Sequence, residues 1–101
     1  MRMLVVFEFP IEPFNTMVKN GTAGAAVQKS LEAIAPEAVY FTARNGKRGG
    51  TMVVDLPDAS SIPKVGEHLF VPFEASVEFI PCLSPEDLAQ SGLDEIGSSY
   101  A

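Results

Sequence analysis

The chain has one cysteine, Cys82, so no intrachain disulfide can form. It has one histidine, His68, with no cysteine nearby in sequence, so spacing supplies no metal-ligand set; neither metal nor cofactor is expected. The seven basic residues form no run, and only Lys47 and Arg48 are adjacent. Against thirteen acidic residues they leave a formal net charge of −6. That charge opposes attraction to phosphate backbones and anionic lipid, so no nucleic-acid partner is expected. No apolar run approaches the roughly 20 residues that span a bilayer, so no membrane partner is expected. Met1-Arg2-Met3 leads straight into an alternating segment, without the apolar block and small-residue cleavage site of a secretion signal. The expected compartment is the cytoplasm, where the sequon-like Asn20-Gly21-Thr22 has no consequence. There is no internal repeat, low-complexity tract or interior linker. Residues 1–97 are therefore expected to form one domain, with 98–101 as a flexible tail.

What remains is a chain of 101 residues, 47% apolar and 20% charged, long enough to hide about two-thirds of its unfolded surface. Met3–Phe9 alternates and is apolar on both faces: Met3, Val5, Phe7 and Phe9 on one, Leu4 and Val6 beside Glu8 on the other. Pro10 and Pro13 end this strand. Helical patterning runs from about Glu12 to Ala35, with a break at Asn20-Gly21 and Thr22 as a candidate cap of the second part. Gly24, Val27, Leu31 and Ile34 form its stripe, small residues at 23–26 permit close packing, and Pro36 terminates it. Residues 38–44 and 50–56 read as a hairpin around Asn45-Gly46, a pair suited to the positive φ that a tight turn requires. Arg44, Lys47 and Arg48 cluster there. A second helix is expected from about Ser61 to Phe70, with Ile62, Val65 and Leu69 inward. Val77–Leu83 is the fourth strand; Pro81 within it suits an edge. Ser84-Pro85-Glu86-Asp87 starts a short third helix that Gly92 ends.

The expected fold class is α+β: a ferredoxin-like β-α-β-β-α-β sandwich, with an antiparallel sheet, two helices on one face and a short C-terminal third helix. Two helices hide one sheet face, yet Leu4, Val6 and Val53 make the other apolar as well. Such a face is seldom left in water, so a homodimer packed sheet to sheet is expected.

Over about residues 3–83, element order, length and the two-faced sheet resemble the dimeric α+β-barrel superfamily of ferredoxin-like domains. Four segments are also similar to a family of small bacterial proteins with no established activity. They are Val5-Val6-Phe7-Glu8-Phe9-Pro10, Gly21-Thr22-Ala23-Gly24, Pro36-Glu37-Ala38-Val39-Tyr40-Phe41 and Pro85-Glu86-Asp87-Leu88. The superfamily includes cofactor-independent monooxygenases, isomerases, haem-degrading enzymes and ligand-sensing domains, so the resemblance does not select an activity.

Four polar residues are candidates for chemistry: Glu8, Tyr40, His68 and Glu78. Glu8 and Glu78 interrupt strands that should pair, and two carboxylates in an apolar setting can share a proton or hold a cation. Solvent or basic partners account for them equally. Tyr40 can orient a ligand in an apolar pocket, or simply find a local partner. His68 falls at the boundary of the second helix's stripe, suited to a general base or to nothing. Gly21-x-x-Gly24 lacks the spacing of a phosphate-binding loop. Arg44, Lys47 and Arg48 solvate the hairpin or bind a carboxylate of a partner subunit. Two functions from different classes follow: a module that binds a small apolar molecule or serves assembly, and a cofactor-independent monooxygenase or isomerase for a small aromatic or apolar substrate. The second requires the four candidates to converge on one cavity.

Overall fold

A computed structural model describes residues 1–101. Strand β1 (Arg2–Glu8) is followed by helices α1 (Ile11–Lys19) and α2 (Ala23–Ile34), then by the hairpin of β2 (Ala38–Arg44) and β3 (Lys47–Asp55). A 3-10 turn at Ala59–Ser61 leads into α3 (Ile62–Phe73), and β4 (Ser76–Pro81) completes the sheet. Two short helices, α4 (Pro85–Ala89) and α5 (Leu93–Ser98), end the chain. The class is α+β, with a four-stranded sheet in the order β2-β3-β1-β4 and every neighbour antiparallel.

The register puts Val5 opposite both Met52 and Phe79, and Val39 opposite Met52. One sheet face therefore collects Met3, Val5, Phe7, Met52 and Val54, all buried beneath the helices with Val65, Leu69 and Phe73 of α3. The opposite face carries Leu4, Val6 and Val53 half-buried, Tyr40 and Ile80 exposed, and no helix above them.

The helical region breaks at Asn20-Gly21, where Gly21 takes φ +78°. Thr22 holds the N-cap position of α2 but does not cap it: its hydroxyl donates back to the Asn20 side chain at 2.6 Å. At the start of α1 the Glu12 carboxylate accepts from the Thr16 N–H (3.1 Å) and hydroxyl (2.6 Å), holding that carboxyl below its usual range. Val27, Leu31 and Ile34 of the expected α2 stripe pack against the core, but the helix's deepest side is turned from Gly24 toward Ala23 and Ser30. Ala23 and Ser30 are its buried residues, with Ala26 and Val27 partly buried, while Gly24 is exposed. The Ser30 hydroxyl donates to the His68 carbonyl of α3 at 2.8 Å, so α2 and α3 approach through small residues.

Three boundaries differ from expectation. The turn is only two residues long, so β3 begins at Lys47 rather than 50. Helix α3 continues through Pro72 to Phe73, because Phe73 is a fully buried core residue and Glu74, at φ 54°, supplies the left-handed stop. The C-terminal segment holds two helices instead of one. Ser84 and Asp87 form the capping box of α4, and α5 reaches Ser98, into the segment expected as a tail. Pro81 does lie on an edge strand, as expected.

Helices α4 and α5 make no extensive contact with the sheet or with α1–α3. Their Leu88, Leu93 and Ile96 are exposed. They lengthen the molecule to 62 × 28 × 18 Å, with a radius of gyration of 17.1 Å against roughly 13 Å for a compact chain of this length. No helix is long and apolar enough to cross a membrane.

Candidate functional site

The helix layer does not cover the whole sheet. Phe41 of β2 points to the helix side yet is 52% exposed. Its cross-strand neighbour on β3 is Gly50, and Gly49 pairs with Thr42. On the helix side Gly50 leaves no side chain between Phe7 of β1 and Phe41 of β2. Gly24 of α2 overhangs the same space, and nothing lies within 4 Å of where its Cβ would be. The result is a groove of about 590 Å³ between α2 and the β2–β3 hairpin, within the usual range for small-molecule sites.

Aromatic rings build its floor. Phe9 and Phe14 stack with centroids 4.9 Å apart, and Phe73 lies 4.9 Å behind Phe9. Phe7 meets Phe41 edge-on at 5.9 Å, so the two rings close over Gly50. Val27 and Leu31 of α2 form the wall.

One charge stands in this apolar space. The Arg48 guanidinium lies 5.0 Å from the Phe14 ring centroid, and its Nη1 donates to Asn15 Oδ1 at 2.7 Å. Its backbone carbonyl accepts from the Phe9 N–H at 2.8 Å, which pins β3 beside the end of β1. No carboxylate lies within 4.0 Å of Arg48; the ion pairs with carboxylate side chains involve Met1, Arg2 and Lys47. The arginine is exposed, is held by a ring and an amide, and lines the groove.

The four candidates from the sequence fall elsewhere. Glu8 and Glu78 share the open sheet face, flanking a small depression of about 230 Å³ with Arg44 and Asn45. Glu8 is half-buried and engaged, accepting from Asn45 Nδ2 at 3.2 Å with Lys47 Nζ at 3.7 Å. Glu78 is exposed, opposite Val6. Tyr40, 73% exposed, stands on the same face in the row of Thr51, Val6 and Glu78, at the opposite sheet edge from Glu78. Three strand spacings of about 4.8 Å separate those edges. His68 is exposed on the far side of the helix layer, in a depression of about 500 Å³ between α2 and α3 beside Lys29 and Glu67. The structure thus brings Glu8 and Glu78 together and keeps Tyr40 and His68 apart from them and from each other. Cys82 is a half-buried free thiol. No three His, Cys, Asp or Glu side chains cluster in a way that can hold a metal ion.

Sequence reasoning missed the groove. It assigns Val27 and Leu31 to core, which they do pack against, and Arg48 to a solvated turn or to a carboxylate of a partner subunit. A usable signal was present: Gly49-Gly50 within a strand, bracketed by Phe7 and Phe41, marks missing volume beside aromatic surface. Comparison of the chain with protein-family models and with curated proteins finds no match.

Proposed function

We propose that this protein is a homodimeric, ferredoxin-like module that binds a small apolar molecule in the groove between α2 and the β2–β3 hairpin. The observation that carries the reading is the groove itself: about 590 Å³ with an aromatic floor and a single guanidinium. The strand order β2-β3-β1-β4, with helices between β1 and β2 and between β3 and β4, supports the split βαβ reading. The separation of Glu8, Tyr40, His68 and Glu78 removes the support for catalysis by those four in one chain.

The dimer reading rests on the uncovered sheet face. Leu4, Val6, Val53 and Ile80 form a continuous apolar strip across β3, β1 and β4. Arg44 and Lys47 flank it together with Glu8 and Glu78, so a two-fold copy can set unlike charges against each other. Light scattering is expected to give twice the 10.8 kDa chain mass at micromolar concentration, and Val6→Glu to give the chain mass itself. A monomer at every concentration removes the dimer reading.

Groove binding is tested with Nile red, a neutral apolar dye. Saturable one-to-one fluorescence enhancement is expected. Gly24→Leu, whose side chain projects into the groove, should abolish it, and Ile80→Glu on the open face should not. Equal enhancement in Gly24→Leu would place the dye elsewhere and remove the groove reading.

A further inference from the structure

Resting on that groove reading, we infer that its ligand is a small apolar molecule bearing a carboxylate, received by Arg48. The chain carries almost twice as many acids as bases, yet the groove lining has one cation and no acid. Arg48 is exposed and has no carboxylate within 4.0 Å; Glu12 at the start of α1 feels its charge without pairing with it. The guanidinium is nevertheless held in place, by the face of Phe14 on one side and by Asn15 through Nη1. One of its five N–H donors is thereby used, and the planar fork keeps donors for a bidentate carboxylate. Phe9, Phe14 and Phe41 beside it offer an aromatic or aliphatic body its apolar surface. Anchor and floor together define an amphipathic anion: a planar carboxylate at the hairpin end, an apolar body lying under α2. Thr42 and Gln28 at the rim can contact further polar atoms of the ligand without selecting charge.

The test compares three probes of one shape: 2-naphthoate, its neutral amide 2-naphthamide, and the cation 2-naphthylmethylammonium. Binding to the full chain is followed by saturation-transfer NMR and calorimetry. The wild type is expected to bind naphthoate about tenfold more tightly than naphthamide, and naphthylmethylammonium least well; a charge-assisted bond supplies a preference of that size. Arg48→Gln should bind naphthamide as the wild type does and lose the preference for naphthoate. Arg48→Lys should recover part of it. Should Arg48→Gln fail to fold, the wild type alone decides, because the preference must shrink as sodium chloride is raised from 50 to 500 mM. Equal affinity for naphthoate and naphthamide overturns the carboxylate assignment and leaves the apolar groove standing. Failure of all three probes to bind overturns both. The remaining alternative is the acidic C-terminal arm of a second copy, which carries Glu86, Asp87, Asp94 and Glu95 and no base after Cys82. Naphthoate binding only to a chain ending at Leu83 would give the groove to that arm and overturn the proposal.

Discussion

Adding one methyl group at Gly50 should destabilise the protein, and adding the same methyl at Gly24 should stabilise it. At Gly50 an ideal Cβ would penetrate the Tyr40 carbonyl oxygen, stand 2.7 Å from Phe7 Cζ and 3.2 Å from Phe41 Cα. Carbon atoms rest at about 3.5–4.0 Å, so the Phe7 ring must retreat by close to 1 Å. It has nowhere to go: Phe7 is 2% exposed, with Phe9 5.4 Å away on one side and Phe41 on the other. The Tyr40 carbonyl is backbone and moves only if β2 separates from β3. Overpacking of this kind costs about 1–3 kcal/mol, and a strained ladder bond adds about 1. Alanine also lowers the entropy of the unfolded chain, which returns about 0.4–1 kcal/mol. The strain wins, and Gly50→Ala should lose about 2–3 kcal/mol.

Gly24 presents the opposite case. No atom lies within 4 Å of its ideal Cβ, and it sits in the first turn of α2. Gly24→Ala should gain about 0.5 kcal/mol from helix propensity. For a domain near 100 residues, 1 kcal/mol moves Tm by about 4–8 °C. Circular-dichroism melts at one fixed protein concentration should therefore show Gly50→Ala at least about 8 °C below the wild type and Gly24→Ala about 2–4 °C above it. A Gly50→Ala melt indistinguishable from the wild type would mean that Phe7 and β2 do not close on Gly50, and the groove floor described above would fall with it.

Ser30→Ala removes the buried hydroxyl that donates to the His68 carbonyl and should cost about 1 kcal/mol, read as a lower urea midpoint at unchanged slope. A chain ending at Leu83 should melt within about 2 °C of the full chain, because α4 and α5 make no extensive contact with the sheet or with α1–α3; a fall of more than about 5 °C would contradict that. Acid should destabilise the fold. Hydrogen bonds from Thr16 to Glu12 and from Ser60 and Ser61 to Asp58 hold these exposed carboxyls below their usual range. The unfolded chain therefore binds their protons first, so their contribution is complete above the ordinary carboxylate range and is lost as pH falls through and below it. Melts from pH 6 to pH 2 should show Tm falling below about pH 4. A double variant carrying Glu12→Gln and Asp58→Asn should show a shallower fall.

Local chemistry made much of the fold legible. Alternation fixes β1 because Met3, Val5 and Phe7 must face the helices, Asn45-Gly46 sets the hairpin, and Ser84 with Asp87 starts α4. These signals lie within a few residues of one another. The rotation of α2 was not legible, because Gly24, Val27, Leu31 and Ile34 form as good a stripe as Ala23, Val27, Ser30 and Ile34. The choice is made 38 residues away, by the His68 carbonyl that accepts the Ser30 hydroxyl. The end of α3 was hidden for the same kind of reason: Pro72 reads as a stop, and burial of Phe73 overrides it. Candidate chemistry was sought among acids, tyrosine and histidine, whereas the groove is made of phenylalanines, glycines and one arginine that a turn had seemed to explain.

The groove and the packing of α2 have one cause. A helix laid on a sheet sits where its side chains hold it, and α2 turns small residues, Ala26 and Ser30, toward α3. Small contacts bring helix axes close. Drawn toward α3, α2 stands back from the edge strand β2, and Phe41 is left half uncovered on the side that should be core. A larger side chain at Gly24 would refill the gap from the helix, and one at 50 would refill it from the sheet; both positions are glycine. Gly50 is required by the close approach of Tyr40 and Phe7, and Gly49 by the Phe7 carbonyl, so both have a structural reason. Gly24 has none. It takes no positive φ, touches nothing where a Cβ would go, and gives up helix propensity in the first turn of α2. Of these glycines it is the one that folding alone does not explain, and it lines the same groove as Arg48.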